Sequence, residues 1–190
     1  MIARLNIVHV EAEASQIKPP PRAPAARIRD NKNSTPPAKS IRMPIHPATV
    51  EDIPALCRLL SLLFTQEAEF TPDPVAQARG LTRIITAPEI GEILVARENG
   101  EVMGTVNLLY TVSTALGAPV ALLEDMVVAS EARGGGLGSR LLEHAIATAR
   151  IRGCRRITLL TDVENHSARR FYERQGFTVS PMRPLRLALD

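Results

Sequence analysis

The sequence predicts an α/β (α+β) domain behind a tail, and three observations carry that reading. From about residue 43 onward, strand-like and helix-like apolar patterns follow one another to the end of the chain. In the middle of that region the apolar run PVALLEDMVVA passes directly into EARGGGLGSRLL, a glycine cluster that opens a helical pattern. Ahead of it, eight of the fifteen prolines fall between Pro19 and Pro47, and neither periodicity survives there. Residues 1–42 are therefore expected to be a disordered, proline-rich basic tail, and residues 43–190 the folded domain.

The domain's elements read as follows. Residues 41–46 start strand-like, and Thr49 or Asp52 is the candidate cap of a helix with Pro54 in its first turn. Ile53, Leu56, Cys57, Leu60 and Phe64 recur along one face of that helix. TQEAEFTPDP is a loop, and PVAQARGLTRIITA is a weaker helix interrupted by Gly80. EILVAR and EVMGTVNLLYTV are strands joined at Glu98, Asn99 and Gly100, which is a hairpin signal. PVALLEDMVVA is a long strand. The helix after the glycines places Leu137, Leu141, Leu142, Ala145, Ile146 and Ala149 on one face and ends near Gly153. RITLLT is a strand. Asn165 caps a helix bearing Ala168, Phe171 and Tyr172 that Gly176 terminates, and FTV and LRLAL are expected to close the sheet.

Charge and composition exclude several function classes. The net charge is +3, but residues 1–42 hold eight Lys/Arg against three acids, while residues 43–190 hold fifteen Arg, no Lys and seventeen acids. A near-neutral domain argues against nucleic-acid binding. No apolar run approaches the ~20 residues that cross a bilayer, and LNIVHV is short beside the roughly 7–15 apolar residues of a secretory signal. No membrane partner and a cytoplasmic location are the expectations. Cys57 and Cys154 lack metal-ligand spacing and read as buried, reduced thiols, His46, His144 and His166 have no spaced partners, and no metal is expected.

A strand that runs through glycines into a helix presents free backbone N–H groups at the positive end of the helix dipole, which suits phosphate. A nucleotide P-loop requires Gly-Lys-Ser/Thr, yet Ser139 follows Gly138 directly and no lysine occurs after Lys39. A dinucleotide loop requires Gly-x-Gly-x-x-Gly, but Gly134 and Gly136 lead to Ser139, and Gly136 and Gly138 lead to Leu141. Arg-x-x-Gly-x-Gly does fit, from Arg133 to Gly138.

At these residues the sequence resembles the GNAT superfamily of acetyl-CoA-dependent N-acetyltransferases, whose pyrophosphate loop follows Gln/Arg-x-x-Gly-x-Gly/Ala. Downstream, TDVENHSARRFYERQGF resembles the family's segment of Asn, Ala, Phe-Tyr and Gly-Phe. The similarity covers about residues 41 to 190. It implies a mixed, mainly antiparallel sheet of six to seven strands flanked by about four helices, with splayed central strands and acetyl-CoA as co-substrate in the gap. The pantetheine arm would pair with the strand edge at Met126, Val127 and Val128. Arg133, Gly134, Gly136, Leu137, Gly138 and Ser139 would hold the pyrophosphate, largely through backbone N–H groups.

Acetyl transfer from a thioester to an amine needs a proton acceptor, an oxyanion donor and a proton for the departing thiolate. Strand alternation would place Glu124 on one face with Met126 and Val128, and Asp125 on the other. The resemblance implies Glu124 as the base, usually acting through water, although a carboxylate bonded to loop backbone would fit the same position. It implies Tyr172 as the acid beside the sulfur; helix packing beside Phe171 would also account for that residue. Asn165 would cap its helix and bond the pantetheine arm, and a backbone N–H near Met126 would serve the oxyanion. The acceptor is expected to be a small-molecule or peptide amine, with Glu67, Glu69 and Phe70 in one loop and residues 111–114 in another near it, and a homodimer is left open. O-acetyl transfer, longer acyl groups and a non-catalytic acyl-CoA sensor are the alternatives.

Overall fold

The computed structural model describes residues 43–65 and 71–189. The expected tail and the loop residues Glu67, Glu69 and Phe70 lie outside them. Five strands form one sheet in the order β1 (Ile45–Pro47), β2 (Gly91–Glu98), β3 (Glu101–Ser113), β4 (Ala118–Val128) and β5 (Ile157–Leu159). The first four strands pair antiparallel; β5 joins β4 in parallel after a crossover through α3 (Leu137–Ile151). The other helices are α1 (Ile53–Phe64), α2 (Pro74–Thr86) and α4 (His166–Arg174).

Local chemistry sets the element ends. Asp52 Oδ2 accepts from the Thr49 N–H at 2.8 Å ahead of α1, and the buried Asp52 also pairs with Arg97 of β2, which ties the start of α1 to the sheet. Asp73 Oδ1 accepts from the N–H groups of Val75 and Ala76 at 3.0 Å each, and Pro74 opens α2. Asn99 and Gly100 both have positive φ, at 49° and 88°, as the tight turn between β2 and β3 requires.

Helices cover both faces of the sheet. Thr105, Asn107 and Leu109 of β3 share one face with Gly91 of β2, whose missing Cβ would lie 3.2 Å from Ile84 of α2; α1 packs beside α2 there. Gly104 belongs to the opposite face, under α3. Leu137, Leu141 and Leu142 of α3 are at most 1% exposed, and burial of each contributes about 1.5–3 kcal/mol. A Cβ at Gly104 would stand 2.9 Å from Leu141 Cδ1 and 3.0 Å from the Val127 carbonyl oxygen. Gly104→Val is accordingly expected to destabilise the fold by about 1–3 kcal/mol, read as a lowered urea midpoint. A midpoint equal to that of the parent would show that α3 does not press on the sheet at this point.

Two expectations need correction. The sheet has five strands among the described residues, not six to seven, because FTV and LRLAL form none. Leu185, Leu187 and Leu189 alternate as a strand would, yet they are 96%, 85% and 87% exposed. Alternation supplies propensity only, and a strand forms when a neighbour accepts its ladder; the outer strand β5 is just three residues long. In addition, residues 111–113 continue β3 rather than forming a loop.

Candidate active site

The site is organised by an irregularity in β4. On one side of it Asn107 pairs with Glu124, and on the other Thr105 pairs with Val127, so β4 carries one residue more than β3 between these pairs. Asp125 lies in that bulge with φ at 46°, a left-handed value that costs an L-residue roughly 1–2 kcal/mol and that Asp and Asn tolerate better than most. Ladder partners share a face, so Glu124 sits on the Asn107 side. The Asn107 Nδ2 donates to Asp125 Oδ2 at 3.0 Å, which draws Asp125 to that side as well.

This overturns the face assignment that alternation gave. Glu124 and Asp125 share the face of α1 and α2, whereas Met126 points to the opposite face, where its Sδ lies 3.8 Å from the Tyr172 hydroxyl. An extra residue reverses the alternation for everything beyond it. Glu124 and Asp125 are 6% and 8% exposed. Burial pushes the Asp125 carboxyl up to about 6, against the opposing effect of the Asn107 hydrogen bond.

Pairing between β4 and β5 runs only from Ala121 with Ile157 to Leu123 with Leu159. From Glu124 to Val128 no strand among the described residues pairs with β4 on this side, which leaves that stretch of edge to another extended chain. The glycine loop adjoins this edge. Gly134 and Gly136 have φ of 79° and 76°, and Gly136 is the residue from which α3 starts. Among the described residues no backbone acceptor takes the N–H groups of Gly134, Gly135 or Gly136, and a Cβ at any of the three would meet nothing within 4 Å. Open amides at the positive end of a helix form an anion cradle.

The remaining loop residues divide their work. Arg133 turns back, its Nε donating to the Val128 carbonyl at 3.0 Å, and so fixes the loop to the end of β4. The Leu137 side chain is in the core, and as the first residue of α3 its N–H is among those that no carbonyl of the helix accepts. Ser139 is part of the first turn of α3. Gly138 faces inward: a Cβ there would lie 3.5 Å from Met126 Cε and 3.8 Å from the Phe171 ring.

Asn165 caps α4, its Oδ1 accepting from the Ala168 N–H at 3.0 Å and from the Ser167 hydroxyl at 3.1 Å. The cap holds Tyr172 under the sheet. Its ring meets Phe171 and Phe177 edge-on, with centroids 5.1 Å and 5.6 Å away. Tyr172 is 2% exposed, and burial raises its phenol far above the ordinary tyrosine value. It stays protonated at neutral pH.

Three sequence segments thus meet at Met126: the glycine loop through Gly138, the open edge of β4, and α4 through Tyr172. Glu124 begins this open stretch of β4, with its side chain on the face opposite Met126. The Asn107–Asp125 pair escaped the sequence reading. The signal available was two consecutive acids in an otherwise apolar strand, a pattern that regular alternation cannot bury on one side. Cys57 and Cys154 are partly exposed free thiols that desolvation pushes up, which disfavours thiolate. Among the described residues no cluster of three or more His, Cys, Asp or Glu could hold a metal, and no helix is long and apolar enough to cross a membrane.

Comparison with known proteins identifies the family of the fold. The family described as Acetyltransferase (GNAT) family matches residues 53–177. The 5-NmdU N-acetyltransferase of Pseudomonas phage PaMx11 is 43% identical over 90 residues, covering 47% of this chain and 59% of the phage protein. This chain thus spans less than two thirds of that relative. The aminoalkylphosphonate N-acetyltransferase of Salmonella typhimurium is 29% identical over 136 residues, covering 72% of this chain and 85% of that protein. Among solved structures, a transcriptional regulator from Bacillus halodurans C-125 is 32% identical with a TM-score of 0.66, covering 77% of this chain and 99% of its own.

Proposed function

Because the chain belongs to the acetyltransferase (GNAT) family, we propose that it transfers the acetyl group of acetyl-CoA directly to a primary amine. The observation that carries the reading is the meeting of the glycine loop, the open edge of β4 and Tyr172 around Met126. Backbone amides of Gly134, Gly136, Leu137, Gly138 and Ser139 receive the pyrophosphate, with Arg133 fixing the loop. The edge at Met126, Val127 and Val128 pairs with the pantetheine amides, Asn165 adds a polar contact to that arm, and a backbone N–H near Met126 faces the thioester oxygen.

The bulge gives the two proton carriers separate sides. Glu124 lies on the face of α1 and α2, from which the amine nitrogen approaches, and takes the amine proton through water as the C–N bond forms. Tyr172 lies on the opposite face and gives its proton to the thiolate as the C–S bond breaks. Glu124 then releases its proton to solvent, Tyr172 recovers one from it, and the acetyl group leaves as an amide beside the free thiol of coenzyme A.

The test is free-thiol release from acetyl-CoA across a panel of amines, amino acids, aminoglycosides, polyamines and peptides. The acceptors named for the two relatives, 5-NmdU and an aminoalkylphosphonate, belong in that panel. Sustained turnover with an amine supports the reading. Turnover only with alcohols, or only with longer acyl-CoA thioesters, replaces it with the corresponding transferase, and binding without turnover leaves an acyl-CoA sensor. The loop carries its own prediction. Gly136→Val forces a β-branched residue into a left-handed position and should weaken acetyl-CoA binding tenfold or more, or ~1.4 kcal/mol. A folded variant with the parent's affinity by calorimetry would remove the loop from the binding site.

A further inference from the structure

The bulge in β4 sets two carboxylates on one face, and the transfer chemistry above employs only Glu124. Asp125 is buried, is held in a left-handed conformation, and accepts from Asn107 through Oδ2 alone; its Oδ1 has no hydrogen-bond partner among the described residues. A buried carboxylate oxygen without a partner is costly, and it persists in folded proteins chiefly where function uses it. A cation brought to that oxygen removes the cost. Asp125 also belongs to the stretch of β4 beyond the last pair with β5, and on the same face as Glu124, the side to which the transfer reading assigns the amine.

On the basis of the transfer reading, we infer that Asp125, oriented by Asn107, receives the ammonium group of the acceptor, so that the chain selects cationic primary amines over alcohols of the same skeleton. Two carboxylates side by side divide the work. Asp125 holds the cation, and Glu124 takes its proton; the recognition step itself makes and breaks no covalent bond. Isosteric replacement tests this cleanly, because asparagine tolerates the left-handed backbone at 125 and removes only the charge. Losing a charge-assisted hydrogen bond should cost roughly tenfold or more in amine affinity.

The experiment uses the full chain with the panel amine that turns over fastest. Asp125→Asn should raise the KM for the amine roughly tenfold or more, while calorimetric affinity for acetyl-CoA stays that of the parent. Asp125→Gly, which also fits the positive φ, is the second variant should the first unfold. An unchanged amine KM in a folded variant, or amine and acetyl-CoA affinities falling together, overturns the assignment while leaving acetyl transfer standing. If no amine turns over, the probes are 1-aminobutane and butan-1-ol, titrated by calorimetry into the chain saturated with coenzyme A. Preference for the amine that Asp125→Asn abolishes supports the receptor even though transfer has failed, and equal or absent binding of the two overturns it.

Discussion

Tyr172→Phe is expected to lower the maximal rate of acetyl transfer by roughly 10²–10⁴-fold, the range for a lost general acid. The substitution removes one hydroxyl and little else. Among the described residues that hydroxyl meets only the Met126 sulfur, at 3.8 Å, and sulfur is a weak acceptor, so little stability depends on it. A phenylalanine keeps the edge contacts to Phe171 and Phe177. Burial holds the phenol protonated through the neutral range, so it is a donor at every working pH. Thermal unfolding and acetyl-CoA affinity should therefore match the parent, with the loss confined to turnover at saturating amine and acetyl-CoA. A Phe variant with the full rate would make Tyr172 a packing residue and assign the thiolate's proton to water.

The second large effect is expected at the other proton carrier. Glu124→Gln keeps size and polarity but removes the basic oxygen, and turnover should fall by roughly 10²–10⁴-fold. The loss should be greatest at low pH, where most of the amine arrives protonated and must shed a proton before attack. As pH rises and free amine becomes abundant, the variant should recover part of the deficit. Affinity for acetyl-CoA should hold, because Glu124 faces α1 and α2 rather than the glycine loop. Rates measured from acid to alkaline pH decide the matter: an equal deficit throughout would make Glu124 a positioning residue.

Several features of this protein are determined by its sequence alone. Asn99-Gly100 specifies a tight hairpin because both positions adopt positive φ. Asp73 with Pro74, and Asn165 three residues before Ala168, specify helix starts because a short polar side chain satisfies nearby N–H groups. The glycine loop and its helix are legible for the same reason, since left-handed φ at Gly134 and Gly136 is a requirement local to the chain. Signals of this kind involve residues a few positions apart, and nothing distant can cancel them.

Tertiary structure decided the rest. The leucines from 185 to 189 carry a strand pattern, but a strand exists only with a partner to share its ladder, and none among the described residues pairs with them. Gly138 reads as a phosphate-loop glycine, yet its inward direction toward Met126 and Phe171 depends on where α3 and α4 dock. The bulge mattered most for the site. Alternation separates Glu124 from Asp125 and joins Glu124 to Met126, and it fails because β3 and β4 differ by one residue between the Thr105–Val127 and Asn107–Glu124 pairs. Register belongs to two strands at once, so neither strand's sequence contains it. That single mismatch turns Glu124 and Asp125 to one side of the sheet and Met126 toward Tyr172 on the other.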